Sequence, residues 1–392
     1  MFMPNKPTLH ITYNVFGGQN ILAPNAISAS SQITKYCSPM DLRQKPFAEI
    51  DLTDKFFDSL RANYPGFDDW FRRKAAAGET AFTYYEDDML LDFLYLKEER
   101  EEVTDVYPHL PAKHRLKVGT FKIDSRGTRR GERLMKKLLD TAIAKDVEEI
   151  YVTIFPEPRL QPLIRSFEKF GFVHCGVKRH TSGKEENVYL RDMRHTAGDI
   201  LKDYPFTDIR GSRFFQLSIL PEYHTRLFPD SILKNERKYD IIHDNSETNS
   251  IYKAYICWMQ DTQQLRPGDK LVIYRTNDYK GPAKFRSVCT SVCTVIEVKT
   301  IRDFADENDF VHYAHKQSVF TEFELRQWYR TKPNFILIQM VYNIAFTRKV
   351  ILRDLRKQVG LSPSYWGFFR LSTAQFNHIL RLGEINERYI IR

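Results

Sequence analysis

Residues 115–123 read as an apolar strand that runs directly into Asp124-Ser125-Arg126-Gly127-Thr128-Arg129-Arg130-Gly131 and from there into a helix. Leu134, Leu138 and Ala142 fall at helical spacing along residues 131–145, and Leu139 and Ile143 widen the apolar stripe. A second apolar strand follows at residues 150–155. A strand, a tight turn, a helix with one buried face and another strand commit this region to a helix-flanked sheet. The turn itself is an anion cradle. Its glycines let the backbone approach a ligand, the first N–H groups of the helix lack intrahelical partners, and the helix dipole favours negative charge. Arg126, Arg129 and Arg130 add fixed positive charge that suits a diphosphate.

The charge of the whole chain is concentrated. Net charge is +9, yet residues 113–137 carry ten basic side chains against two acids, and residues 325–370 carry nine against one. Two such regions point to two anionic ligands or one polyanion. With 392 residues, 42% of them hydrophobic, the chain predicts two or more folded domains. The five cysteines are scattered, without CxxC pairs or zinc spacing, and read as reduced thiols with no metal site. No apolar run is long enough for a membrane span, and the first residues do not form a signal peptide, so a soluble, cytoplasmic protein without a membrane partner is expected.

Residues 1–45 read as a polar extension with no assigned role. From residue 46 the order is strand 47–52, a broken amphipathic helical stretch that carries Phe56, Phe57, Leu60, Trp70 and Phe71, then strands 80–85 and 90–97 around a polar turn. The strand–turn–helix–strand unit follows, then a helix at 160–170 stopped by Gly171, and a last strand pair closing near Met193. Residues 196–212 read as a linker. Beyond them, strands at 214–219, 251–258, 270–276, 291–298 and 335–342 and helices at 322–329 and 373–382 predict a second, β-rich domain over residues 213–392.

The loop resembles the pyrophosphate-binding motif of the GNAT superfamily of acetyl-coenzyme A-dependent N-acetyltransferases, Arg/Gln-x-x-Gly-x-Gly/Ala, with Arg126 first, Gly131 last and Arg129 in place of the middle glycine. The element order over residues 46–195 is similar to that whole fold. The resemblance implies acetyl-CoA as co-substrate, its pantetheine arm on the backbone of Phe121 and Ile123 and its phosphates on Arg126, Gly127, Thr128, Arg129, Arg130 and Gly131. Residues 166–172 resemble the family's helix end in which a tyrosine protonates the departing thiolate, but Phe167 stands at that position and cannot do so. A base needs reach to the substrate amine, and His114, Glu157, His174 and His180 are the candidates; an amine that arrives neutral needs none.

Residues 215–228, followed by Arg266-Pro267-Gly268-Asp269 and the strand after it, resemble the ASCH branch of the PUA-like β-barrels. That resemblance implies RNA as a partner. Basic residues interleaved with rings over 325–370 are what single-stranded nucleic acid needs, and Arg275, Tyr365 and Trp366 are the candidate contacts. The fold expected is therefore α+β: a GNAT fold with a mixed central sheet flanked by helices, followed by a PUA-like barrel. The activity expected is direct N-acetyl transfer to an amine on RNA or an RNA-associated substrate. The alternatives are a GNAT scaffold without turnover inside a nucleic-acid-binding regulatory protein, and an enzyme for a small amine.

Overall fold

A computed structural model describes residues 42–124, 130–181, 183–228, 250–315 and 318–392. The first sheet has seven strands: β1 (Arg43–Pro46), β2 (Thr80–Glu86), β3 (Met89–Glu99), β4 (Arg115–Ile123), β5 (Glu149–Ile154), β6 (Val173–Arg179) and β7 (Glu185–Asp192), in the spatial order β1-β2-β3-β4-β5-β7-β6. Every neighbouring pair is antiparallel except β4 and β5. Parallel neighbours require a crossover, and α3 (Arg130–Ala144) supplies it. The strand expected at 47–52 lies earlier, at β1, because Phe47 turns into the core and residues Phe47–Glu49 form a short 3-10 turn around it.

The pleat sends alternate side chains to opposite faces. Leu94, Leu116, Val118, Ile150, Val152 and Ile154 point to one face and pack on α3 and on α4 (Gln161–Lys169). Phe93 and Tyr95 point to the other, where α1 (Asp58–Asn63) and α2 (Phe67–Ala76) bring Phe67 and Phe71 against Phe47 and Phe57. On that second face Val103, Val106 and Leu110 cover Tyr151 and Val188. A trench is left between the two covers, over β4.

The second sheet orders β10 (Tyr252–Cys257), β13 (Ile336–Ile351), β12 (Val288–Thr300), β11 (Lys270–Arg275), β9 (Phe214–Ile219) and β14 (Phe368–Leu371). Among the described residues β10 and β14 are its edges. One face packs on α5 (Pro221–Leu227), α7 (Glu307–His315) and α8 (Glu322–Thr331), the other on α9 (Leu352–Lys357) and α10 (Thr373–Leu382). α6 (Ala283–Arg286) packs beside α9. The connecting residues 196–212 are no slack tether: Tyr204 and Thr207 are fully buried, and β8 (Thr207–Asp208) pairs with β15 (Ile390–Ile391) at the end of the chain. Ile251, Tyr252 and Val341 of the second sheet join the core that holds α3, so this helix is clasped from both sides. No helix among the described residues is long and apolar enough to cross a membrane.

Candidate active site

β4 and β5 pair only from Arg115↔Glu149 to Val118↔Val152. Beyond that point β4 runs on to Ile123 and β5 to Ile154 without further register, and the two strands diverge. The divergence begins at a bulge. On β3, consecutive Tyr95 and Leu96 face Thr120 and Val118, which leaves Gly119 as the extra residue of β4. Only glycine fits there, since a Cβ would stand 2.5 Å from Cδ1 of the Tyr95 ring.

The direction of the freed backbone follows from one hydrogen bond. Asp124 N–H donates to Leu91 O at 2.8 Å, so Asp124 faces β3. By alternation Lys122 faces β3 as well, and the N–H and C=O groups of Phe121 and Ile123 face the gap toward β5. These two residues were expected to hold a pantetheine arm, and both border the gap.

The gap opens into a cleft of about 1260 Å³ that crosses the sheet. At one end are Phe121, Ile123, Gly131, Thr153, Leu163 and Ser166; at the other, in the trench, are Tyr64, Trp70, Lys97, Glu99, Lys117, Lys178, His180 and Glu186. Gly131, in the first turn of α3, belongs to the first end, and its absent Cβ would lie 3.4 Å from Cδ1 of Ile123. Arg126, Gly127, Thr128 and Arg129 lie outside the described residues. Arg130 was expected to contact phosphate. Its guanidinium turns into the protein, is paired with Glu86 at 2.8 Å and lies 5.1 Å over the Tyr84 ring.

In the trench a carboxylate organises two partners. Glu186 is buried; it accepts the Tyr64 hydroxyl at 2.6 Å and sits 3.0 Å from Nε2 of His180. Burial, then the charge of Glu186, push the Tyr64 hydroxyl well above its ordinary range, so it stays a donor. Phe155 backs both rings, at 5.3 Å from Tyr64 and 5.6 Å from His180. This network ties the α1–α2 connection to β7 across the trench. Deeper in, Glu99 accepts from Tyr151 at 2.6 Å and Lys97 at 2.8 Å, with Lys117 at 3.9 Å. Burial lowers the Lys117 pKa.

Of the four candidate bases, His180 alone borders the cleft. His114 is paired with Glu98 at 2.9 Å at the far end of β4, His174 is an exposed residue of β6 with its ring against Tyr189, and Glu157 is paired with Arg159 at 2.5 Å just outside the cleft. Phe167 is wholly buried between Phe121 and Phe172. Sequence reading missed Glu186 and Tyr64. The signal for Glu186 was an acid on the inward-facing phase of β7, beside Val188 and Leu190; Tyr64 had none beyond its place before the Pro65-Gly66 break.

In the second sheet Arg275, expected either at a pocket mouth or paired with an acid, is 1% exposed and 3.6 Å from Asp278. Tyr365 is 60% exposed, and Trp366 beside it is half-buried over Tyr274. Cys175, Cys257, Cys289 and Cys293 are free thiols, and among the described residues no group of three His, Cys, Asp or Glu side chains could hold a metal ion.

No protein-family model and no curated protein sequence matches the chain. Solved structures do. Ard1 from Thermoplasma volcanium is similar at 14% identity over 39% of this chain and 96% of its own, with a TM-score of 0.30. Arabidopsis thaliana Naa50, in complex with a bisubstrate analogue, is similar at 18% identity over 38% of this chain and 98% of its own, with a TM-score of 0.28. The ASCH protein from Zymomonas mobilis is similar at 10% identity over 43% of this chain and 94% of its own, with a TM-score of 0.29. The chain is similar in fold to structures of both groups, each over less than half its length.

Proposed function

We propose that this chain is an acetyl-CoA-dependent N-acetyltransferase. The observation that carries the reading is the divergence of β4 from β5 above Val118 and Val152, with the backbone of Phe121 and Ile123 turned into the gap. An extended amide-bearing arm fits a strand-like edge of that kind, because it can exchange the hydrogen bonds a neighbouring strand would have made. Gly131 at the start of α3 leaves room for phosphate on the helix N-terminus. Bound acetyl-CoA supplies the thioester carbonyl that an amine attacks. The chain's own residues position that amine and take its proton. Nε2 of His180 is engaged by Glu186, which leaves Nδ1 as the nitrogen to accept the proton, while Tyr64 and Phe155 hold the ring in place. The thiolate leaves without help from Phe167; Ser166 is the hydroxyl on that helix that borders the cleft.

The acceptor, in this reading, is an amine on RNA or on an RNA-associated substrate that the second sheet recruits, and the exposed Tyr365 ring supports that part. The test is radiolabelled acetyl-CoA with pools of amino acids, peptides, polyamines and RNA as acceptors. Label moves to an acceptor with one CoA released per transfer, and His180→Ala loses transfer while keeping acetyl-CoA binding. Tight binding of acetyl-CoA without transfer to any pool supports the scaffold without turnover instead.

A further inference from the structure

The basic stretch at 325–370 does not act as one surface. Arg326 and Arg330 are tied to Glu307 at 2.9 and 2.7 Å, and Phe335, Tyr342 and Phe346 are core. What remains is reassembled by the fold with a part of the chain some seventy residues earlier. α6 packs on α9, and Leu352 N–H donates to Ser287 O at 2.8 Å. This puts the Arg353 guanidinium 5.7 Å over the Phe285 ring, and the Arg356 guanidinium, one helical turn on, 5.5 Å over Trp366. Lys284 lies 5.0 Å from Phe285 on its own helix. The result is a row of ring, cation, cation, ring.

Phe285 is 47% exposed, and Trp366 is half-buried, with one side on Tyr274. Residues 278–286 and 352–366 carry six basic side chains, Lys280, Lys284, Arg286, Arg353, Arg356 and Lys357, against Asp278 and Asp354, and both acids are already paired, with Arg286 and Arg353. The backbone at the Trp366 end of the row is tied to β9. The Trp366 carbonyl accepts from Ser218 Oγ at 2.5 Å and from Gln216 Nε2 at 3.2 Å, and the Gly367 carbonyl accepts Ser218 N–H at 2.8 Å.

We infer that the row formed by Phe285, Arg353, Arg356 and Trp366 is a docking surface for single-stranded nucleic acid, with bases stacked on the rings and phosphates on the cations. Exposed rings beside cations that outnumber their acids match that ligand in both of its parts, its flat bases and its charged backbone. Duplex offers no unstacked base to the rings and meets only the charge. The inference deepens the recruitment half of the reading above, and it does not depend on acetyl transfer.

The test uses the full chain, freed of nucleic acid, and fluorescein-labelled 20-nucleotide RNA and DNA single strands of mixed sequence, followed by anisotropy without acetyl-CoA. Binding of a single strand over duplex is expected. Phe285→Ala should weaken it about five-fold or more, and Arg353→Gln with Arg356→Gln should lower the salt slope by about 0.7 per arginine. Preference for RNA or DNA tells the two sources apart. Arg72→Gln, on an exposed helix of the first sheet, should change nothing. Thermal melts confirm that each variant is folded. No binding of either strand at low salt, equal binding of duplex, or indifference to Phe285→Ala and the arginine pair overturns the inference. So does binding to phosphatidylserine vesicles in place of oligonucleotide. None of these results bears on whether acetyl-CoA binds the first sheet.

Discussion

Asp92 is wholly buried on β3, opposite Ile123, and among the described residues neither carboxylate oxygen has a hydrogen-bond partner. Burial pushes its pKa up to about 6, against the opposing pull of Arg130 and Arg133. The sign of the consequence is fixed. A folded pKa above the unfolded value of 3.8 means that the native state holds the proton more tightly, so stability is lost as pH rises through the window from about 4 to about 6. At neutral pH the charged form costs up to about 3 kcal/mol. Asp92→Asn should remove that dependence. In urea titrations at pH 4 and pH 7, the variant gains stability over wild type at the higher pH and little at the lower. A difference that does not change with pH would show that Asp92 is not the titrating group. Its position explains why the charge is tolerated, since Arg130 and Arg133 at the start of α3 place positive charge close to it.

At the scale of elements, the bulge at Gly119 and the divergence it starts decide what the first sheet can bind. The Tyr95 ring that a Cβ at position 119 would strike is wedged by Phe47 at 5.2 Å and Trp70 at 5.7 Å, so it cannot swing away. Gly119→Ala should therefore cost about 1–3 kcal/mol, read as a lower denaturation midpoint, and should weaken acetyl-CoA binding as the bulge shifts. An unchanged midpoint would mean that the bulge relaxes freely and does not set the strand divergence. This element also marks the limit of what could be read from sequence. The strand and the stripe of α3 were legible because 3.6-residue and two-residue periods show in a linear string, and α10 was legible from Thr373 to Leu382 for the same reason. β13 was read too short, because past Tyr342 the continuous apolar run breaks up: Ile344, Phe346 and Val350 are buried, but exposed Ala345, Thr347 and Arg348 lie between them while the strand still pairs with β12. His180 was legible as a candidate, but its link through Glu186 to Tyr64 was not, since Tyr64 and Glu186 are 122 residues apart and no local pattern encodes the meeting. The surroundings of Arg130 and Arg275 were not legible either. Local charge says that an arginine is present, but only the packing says whether it faces solvent or a buried partner.

At the scale of the whole molecule, α3 couples the two halves. One flank packs on the first sheet, and Lys136 and Asp140 on the other meet Tyr342 at 5.5 Å and Tyr389 at 3.5 Å. The proposed acetyl-CoA site thus rests on a helix that the second sheet helps to fix, and the basic row of α6 and α9 belongs to the same body. The central claim is that the diverging strands and the start of α3 form an acetyl-CoA site. Isothermal titration calorimetry of acetyl-CoA, wild type beside Gly131→Glu, on protein freed of nucleic acid, tests it most directly. The account predicts saturable one-to-one binding in the wild type. The variant should lose it, because a carboxylate at the helix start repels the phosphates, and its melting temperature should stay close to wild type. Absence of binding in the wild type, or equal binding by the variant, contradicts the account.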